Sequence, residues 1–194
     1  MKKFLVLLFT GLLLVTTKSF SQQNDNSAFG APVIKFTSLV GQSAVLVGGR
    51  FGWVINKSIV LGGGIYGLIN TVNTNVTDPI SGQNVMLGFN CGGLEFEYIF
   101  FPDEPIHASF DMLFAGGGVT YSVENKNIPH TSYFSQNLLV WEPQINIEFK
   151  IVDWFHLDAG ASYRIITSYN GYFGLSNNNL KGVTGLLTFK FGKY

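Results

Sequence analysis

At 194 residues the chain is about one domain long. Its 12 basic and 12 acidic side chains leave no net charge with which to bind nucleic acid. Only 12 % of residues are charged, about half the ~25 % with which a soluble domain covers itself. Aromatics reach 15 %, glycines number 23, and the one cysteine rules out an internal disulfide. Cys91 reads as a small buried apolar residue.

Lys2-Lys3 followed by the apolar run Phe4 to Val15 has the layout of a secretory signal peptide. Ser19 and Ser21 supply the small residues of a cleavage site, so residues 1–21 are expected to be removed. The apolar run is too short for a spanning helix, which needs ~20 residues. The remainder, residues 22–194, reads as one β-domain.

A polar leader, Gln22 to Ala31, precedes eight expected strands, with no helix-period segment among them. The first, Pro32 to Leu39, turns at Val40-Gly41-Gln42. The second, Ser43 to Ile55, sets Val45, Val47, Phe51, Trp53 and Ile55 on one face and Arg50 on the other. Asn56-Lys57 turn into the third, Ser58 to Thr71, and a polar loop is expected over residues 72–83. The fourth, Asn84 to Phe101, sets Leu94, Phe96, Tyr98 and Phe100 against Glu95 and Glu97, with a bulge or bend expected at Gly92-Gly93. After Pro102-Asp103-Glu104-Pro105, the fifth runs from Ile106 to Ser122, with His107, Ser109 and Asp111 on its polar face. A second loop is expected over residues 124–135.

The next two strands state the pattern most clearly. Leu139, Trp141, Pro143, Ile145, Ile147, Phe149 and Ile151 alternate with Val140, Glu142, Gln144, Asn146, Glu148 and Lys150. After Val152-Asp153-Trp154 the alternation restarts as Phe155, Leu157, Ala159, Ala161, Tyr163 and Ile165 against His156, Asp158, Gly160, Ser162 and Arg164. Period two over two runs joined by a tight turn is an antiparallel hairpin with one apolar and one polar face. A third loop is expected over residues 169–179, and Leu180 to Tyr194 forms the last strand.

With so little charge to cover an outer surface, the apolar face is expected to meet lipid and the polar face to line a closed barrel. Short connections at Asn56-Lys57, Pro102 to Pro105 and Val152 to Trp154 alternate with long polar ones, the asymmetry of membrane barrels. Trp53, Tyr98, Phe100 and Trp154 cluster near the short turns, as an interfacial girdle does. Signal segment, strand count and the ending Leu187 to Tyr194 resemble the small eight-stranded outer-membrane barrels of the OmpA/OmpX type. The resemblance implies a transmembrane up-and-down β-barrel in the outer membrane of a Gram-negative bacterium. It also implies contact with outer-membrane lipid and lipopolysaccharide, insertion by the outer-membrane machinery, and a monomer. An extracellular ligand would then meet the loops 72–83, 124–135 and 169–179.

Lys35, Arg50, Glu95, Glu97, Asp111, Glu142, Glu148, Asp158 and Arg164 fall on lumen positions. Hairpin counting sets Glu142 opposite Arg164, Glu148 opposite Asp158 and Glu95 opposite Asp111, with Lys35 and Arg50 reaching across as counter-ions. A packed polar plug is the expected role, and a narrow ion or proton path the alternative. No metal or cofactor is expected, since no histidine pair has ligand spacing with further ligands. No catalysis is expected either. One alternative is that His130, Ser132 and Glu142 resemble the set of the outer-membrane lipid A deacylases, an enzyme reading. Another is a soluble periplasmic binder of lipocalin type, which inverts the faces.

Overall fold

A computed structural model describes residues 26–77, 82–125, 128–168 and 175–193. The expected signal peptide, residues 1–21, lies outside them, as do residues 78–81, 126–127 and 169–174 of the three expected loops and Tyr194.

Alternation becomes nine strand segments: β1 Ser27–Leu39, β2 Gln42–Ile55, β3 Ile59–Leu68, β4 Val72–Thr77, β5 Asn84–Phe100, β6 Ile106–Asn125, β7 Ile128–Val152, β8 Phe155–Thr167 and β9 Gly182–Lys193. Each pairs antiparallel with its neighbours, and β9 returns to β1, so the sheet closes on itself. β3 and β4 both pair with β5 and form one interrupted stave, which makes eight staves in all. Asn70 causes the interruption. Its side-chain amide donates to the Ser43 carbonyl at 2.9 Å and accepts from the Val45 amide at 2.7 Å, replacing the backbone ladder. The ends of β1 and β9 meet at Ala28 and Lys193, beside the short turns.

Those turns have local causes. Asn56 and Lys57 both take positive φ (49° and 59°), the hand that matches strand twist in a tight hairpin. Between β5 and β6, Phe101 at φ 53° and two prolines that cannot donate to the ladder end the pairing early. This widens the connection and corrects one expectation: Asp111 stands opposite Glu97, and Glu95 stands opposite Leu113.

Other expectations are also corrected. β1 begins at Ser27, inside the expected leader, because Phe29 and Ala31 continue its buried face and pair with Gly52 and Arg50. The expected loop 72–83 contains β4. The expected loop 124–135 is largely strand, with β6 and β7 paired out to Asn125 and Ile128. The third loop holds one helical turn, α1 Asn177–Leu180, capped by Ser176 and Asn179. The ladder through Gly92-Gly93 is continuous, without a bulge. Glycine is needed there for close approach: a Cβ on Gly93 would lie 2.0 Å from the Phe114 carbonyl oxygen.

The larger finding is that the hydrophobic sense of the wall reverses along the barrel axis. On β5, alternate residues Val85, Leu87, Phe89, Cys91, Glu95, Glu97 and Ile99 all point inward and are buried. The first four are apolar, and charge appears only toward the short-turn end. Outward, Leu94, Phe96, Tyr98 and Phe100 are exposed and apolar, but Asn84 and Asn90 follow nearer the long loops. At the long-loop end Leu39, Leu46, Val72, Val119, Tyr121, Leu138, Val140, Ile166, Leu175 and Leu180 pack with these as a buried apolar core. The barrel therefore joins a segment that is apolar outside and charged inside to a segment with a buried apolar core.

Candidate functional site

The charged interior occupies the half of the barrel behind the apolar band. Period two aims every second side chain inward. An eight-stave interior is just wide enough for side chains to fill it. All nine residues read from the sequence as lumen charges are buried, none more than 6 % exposed.

Starting at the short-turn end, Glu148 stands opposite Asp158. Lys190 on β9 lies between them, with Nζ 2.5 Å from Glu148 Oε2, 3.0 Å from Asp158 Oδ2 and 2.9 Å from Glu97 Oε1. His156 Nδ1 donates to Glu148 Oε1 at 2.5 Å. His107 approaches the same oxygen through Nε2 at 3.4 Å and donates from Nδ1 to the Glu104 carbonyl at 2.9 Å. One level further in, Arg50 meets Glu95 at 2.7 Å, Glu97 at 3.0 Å and Asp111 at 2.7 Å. The Tyr66 hydroxyl donates to Glu95. Lys35 then sits 4.0 Å above the Tyr66 ring centre and 2.8 Å from Glu142.

Arg164 stands opposite Glu142 in register, but Lys35 and the Ser162 hydroxyl take that carboxylate. Arg164 instead donates to the Leu180 carbonyl at 2.9 Å, the Ser38 carbonyl at 3.1 Å and Thr37 Oγ1 at 3.2 Å. It thereby ties α1 and the β1–β2 turn down over the long-loop mouth. Val40 adds a backbone bond to the Asn179 carbonyl at 2.8 Å.

Sequence reasoning missed Lys190, which holds three of the six buried carboxylates. The signal was present: Val183, Leu187, Phe189 and Phe191 define the outer phase of β9, so Lys190 falls on the inner one with Thr184 and Thr188. Glu97, Glu148 and Asp158 offer oxygens within 4.8 Å of one another, close enough to ligate a metal. The Lys190 ammonium already supplies the cation there.

The backbone positions of the lipid A deacylase-like set are given by β7. β7 carries both Ser132 and Glu142. Ten residues of strand separate them, on the order of 30 Å. The backbone places His130 and Ser132 in β7, not in the loop expected for them; their side chains lie outside the described residues.

On the outer wall, Trp53, Tyr98, Phe100 and Trp154 are all exposed near the short turns. Tyr98 and Phe100 meet edge to face at 4.9 Å, and Trp154 stacks on Phe191 at 6.3 Å. Lys57, Asp103, Glu104, Lys150 and Asp153 are exterior charges at that end, and Lys181 lies beside α1. Lys57 bonds Asp103 at 2.8 Å and holds its exposed carboxyl below the usual aspartate range.

No protein-family model and no curated protein matches the sequence. Solved structures do. The N-terminal β-barrel domain of Pseudomonas aeruginosa OprF is 13 % identical at a TM-score of 0.57, the match covering 88 % of this chain and 99 % of that one. Ail, the attachment invasion locus protein of Yersinia pestis, is 12 % identical at 0.52, covering 86 % and 97 %. Neisserial surface protein A is 14 % identical at 0.51, covering 87 % and 96 %. Ail is also known in complex with the heparin analogue sucrose octasulfate. The fold is that of the small eight-stranded outer-membrane β-barrels.

Proposed function

We propose that this protein is an integral outer-membrane β-barrel with a packed, non-conducting interior, acting structurally or through its external loops rather than by catalysis. One observation carries the reading. The exposed band of Phe51, Ile65, Leu94, Phe110, Ile145 and Val183 contains no charge among the described residues, while ten buried charged residues lie behind it. A charge on that band would cost ~2–4 kcal/mol near the bilayer midplane. The same ten charges inside are paired, or hydrogen-bonded in the case of Arg164. A lipocalin-type binder needs the opposite arrangement at this level of the wall.

The short turns then face the periplasm and the apolar-cored end projects outward from the lipid. From Trp141 to Ile151, eleven residues of tilted strand span about 25 Å, the height of an apolar band. Above it Asn70, Asn84, Asn90 and Asn137 are exposed, with Lys181 beside α1. That chemistry suits neutral, hydroxyl-rich ligands such as lipopolysaccharide sugars. Among the described residues there is no cationic patch of the kind that a polyanion such as the ligand of Ail would demand.

The enzyme alternative is tested by mass spectrometry of lipid A from outer membranes with and without the protein. An unchanged spectrum, with the protein folded in the outer-membrane fraction, is expected. Gain or loss of one acyl chain, abolished by Ser132→Ala, would overturn the proposal.

A further inference from the structure

The interior charges do not balance. Among the described residues, six buried carboxylates (Glu95, Glu97, Asp111, Glu142, Glu148, Asp158) face four permanent cations: Lys35, Arg50, Arg164 and Lys190. The shortfall is two positive charges, and two buried histidines lie in the same network.

Their placement is specific. His107 on β6 and His156 on β8 flank one oxygen of Glu148 on β7. They also line a cavity of about 130 Å³ at the short-turn mouth, with Lys57, Ile99, Pro102, Asp103 and Lys150. This is the end of the network that solvent can reach. Among the described residues the other end is covered by the apolar core and by α1, whose Leu180 is fully buried. Deep carboxylates left without a counter-charge in so dry a site would be costly. Imidazole is the one side chain that takes up a proton near neutral pH without help.

We propose that His107 and His156 form a proton-binding site at the periplasmic mouth, loaded from that side only, whose two protons complete the charge balance of the plug. Several groups face the pair. Glu148 and Lys150 come from β7, Asp158 from β8, Lys190 from β9 and Glu97 from β5. Asp103 and Glu104 come from the β5–β6 turn, and Lys57 from the β2–β3 turn. The inner carboxylates Glu97, Glu148 and Asp158 meet Lys190, and Glu97 also meets Arg50, while Lys57 and Lys150 are engaged by Asp103 and Asp153 on the rim. Loss of the protons removes two positive charges from beside Glu148 Oε1, so the plug loosens from its periplasmic end as pH rises. The direction follows from linkage. Protons bound more tightly by the folded state stabilise it on the acid side of neutrality, and that stabilisation is lost on the alkaline side.

Only the periplasmic orientation rests on the membrane reading; the site itself is tested in micelles, so failure of one is distinguishable from failure of the other. The full chain is refolded in detergent with ¹⁵N-labelled histidine, and His130→Gln identifies the third signal. His107 and His156 should show imidazolium shifts at pH 7. The folded-to-unfolded ratio in urea should fall with pH between about 6 and 8.5, by up to tenfold per pH unit for each imidazolium released. His107→Gln/His156→Gln should abolish that slope. Neutral imidazoles at pH 7, or a slope that survives in the double variant, would put the missing protons on carboxylates and overturn the proposal. If the double variant does not fold, the labelled unsubstituted protein still decides.

Discussion

Arg50→Met removes the guanidinium that reaches Glu95, Glu97 and Asp111 while keeping most of the side-chain volume. The three carboxylates are not left equal. Glu97 retains Lys190 at 2.9 Å, and Glu95 retains the Tyr66 hydroxyl. Asp111 retains neither, because among the described residues Arg50 is its ion-pair partner, at 2.7 Å. Removing one partner of a buried pair typically costs 3–5 kcal/mol. With one carboxylate wholly stranded and two partly held, the loss should be about 4 kcal/mol. Urea unfolding of the full chain in micelles, followed by tryptophan fluorescence and by the mobility of unheated samples, measures it. Asp111→Asn on the Arg50→Met background should recover a large part, since the stranded charge is then gone. A loss below about 1 kcal/mol, or no recovery in the double variant, would refute the account of a charge-matched interior.

Other consequences follow from the same geometry. Gly64→Ala should destabilise by roughly 1–3 kcal/mol through overpacking, because its Cβ would stand 2.6 Å from Glu95 Oε1 and 2.7 Å from the Tyr66 hydroxyl; unfolding in urea checks this. Phe89→Ala should cost about 3–5 kcal/mol, since Phe89 is buried in the upper core and faces Arg164 at 5.2 Å. Leu94→Lys in the apolar band should cost ~2–4 kcal/mol, whereas Asn84→Lys beyond the band should leave the unfolding midpoint in lipid vesicles unchanged. Asp103→Asn should leave stability at neutral pH unchanged. The carboxyl and its Lys57 partner are both exposed, and any contribution is present above the ordinary aspartate range and lost only as pH falls below it.

The two runs around Val152-Asp153-Trp154 carried the architecture on their own, since period two with a tight turn admits few other folds. Less was legible where the rule of polar inside and apolar outside stopped holding. On β5 the alternation never breaks, but Val85, Leu87 and Phe89 face inward like Glu95 and Glu97. This reversal of which face is apolar looks in the sequence like lost phase. The β5–β6 register was misjudged because a turn's width depends on Phe101 taking positive φ, which residue type alone does not announce. Glu142 was expected to take Arg164, its neighbour across the strand pair, and takes Lys35 from across the lumen instead. Pairing on one strand pair can be counted from a hairpin, but closure of the barrel brings together residues 107 apart in sequence.

The claim on which the rest depends is where lipid meets the wall. Single spin labels at Leu94, Ile145, Asn84 and Asn137, introduced in the full chain and reconstituted in vesicles, report it through collision with oxygen and with a water-soluble nickel chelate. Leu94 and Ile145 should be accessible to oxygen and shielded from nickel, and Asn84 and Asn137 the reverse. Nickel access at Leu94 and Ile145 equal to that at Asn84 would contradict a lipid-facing band, and with it the barrel's place in a membrane.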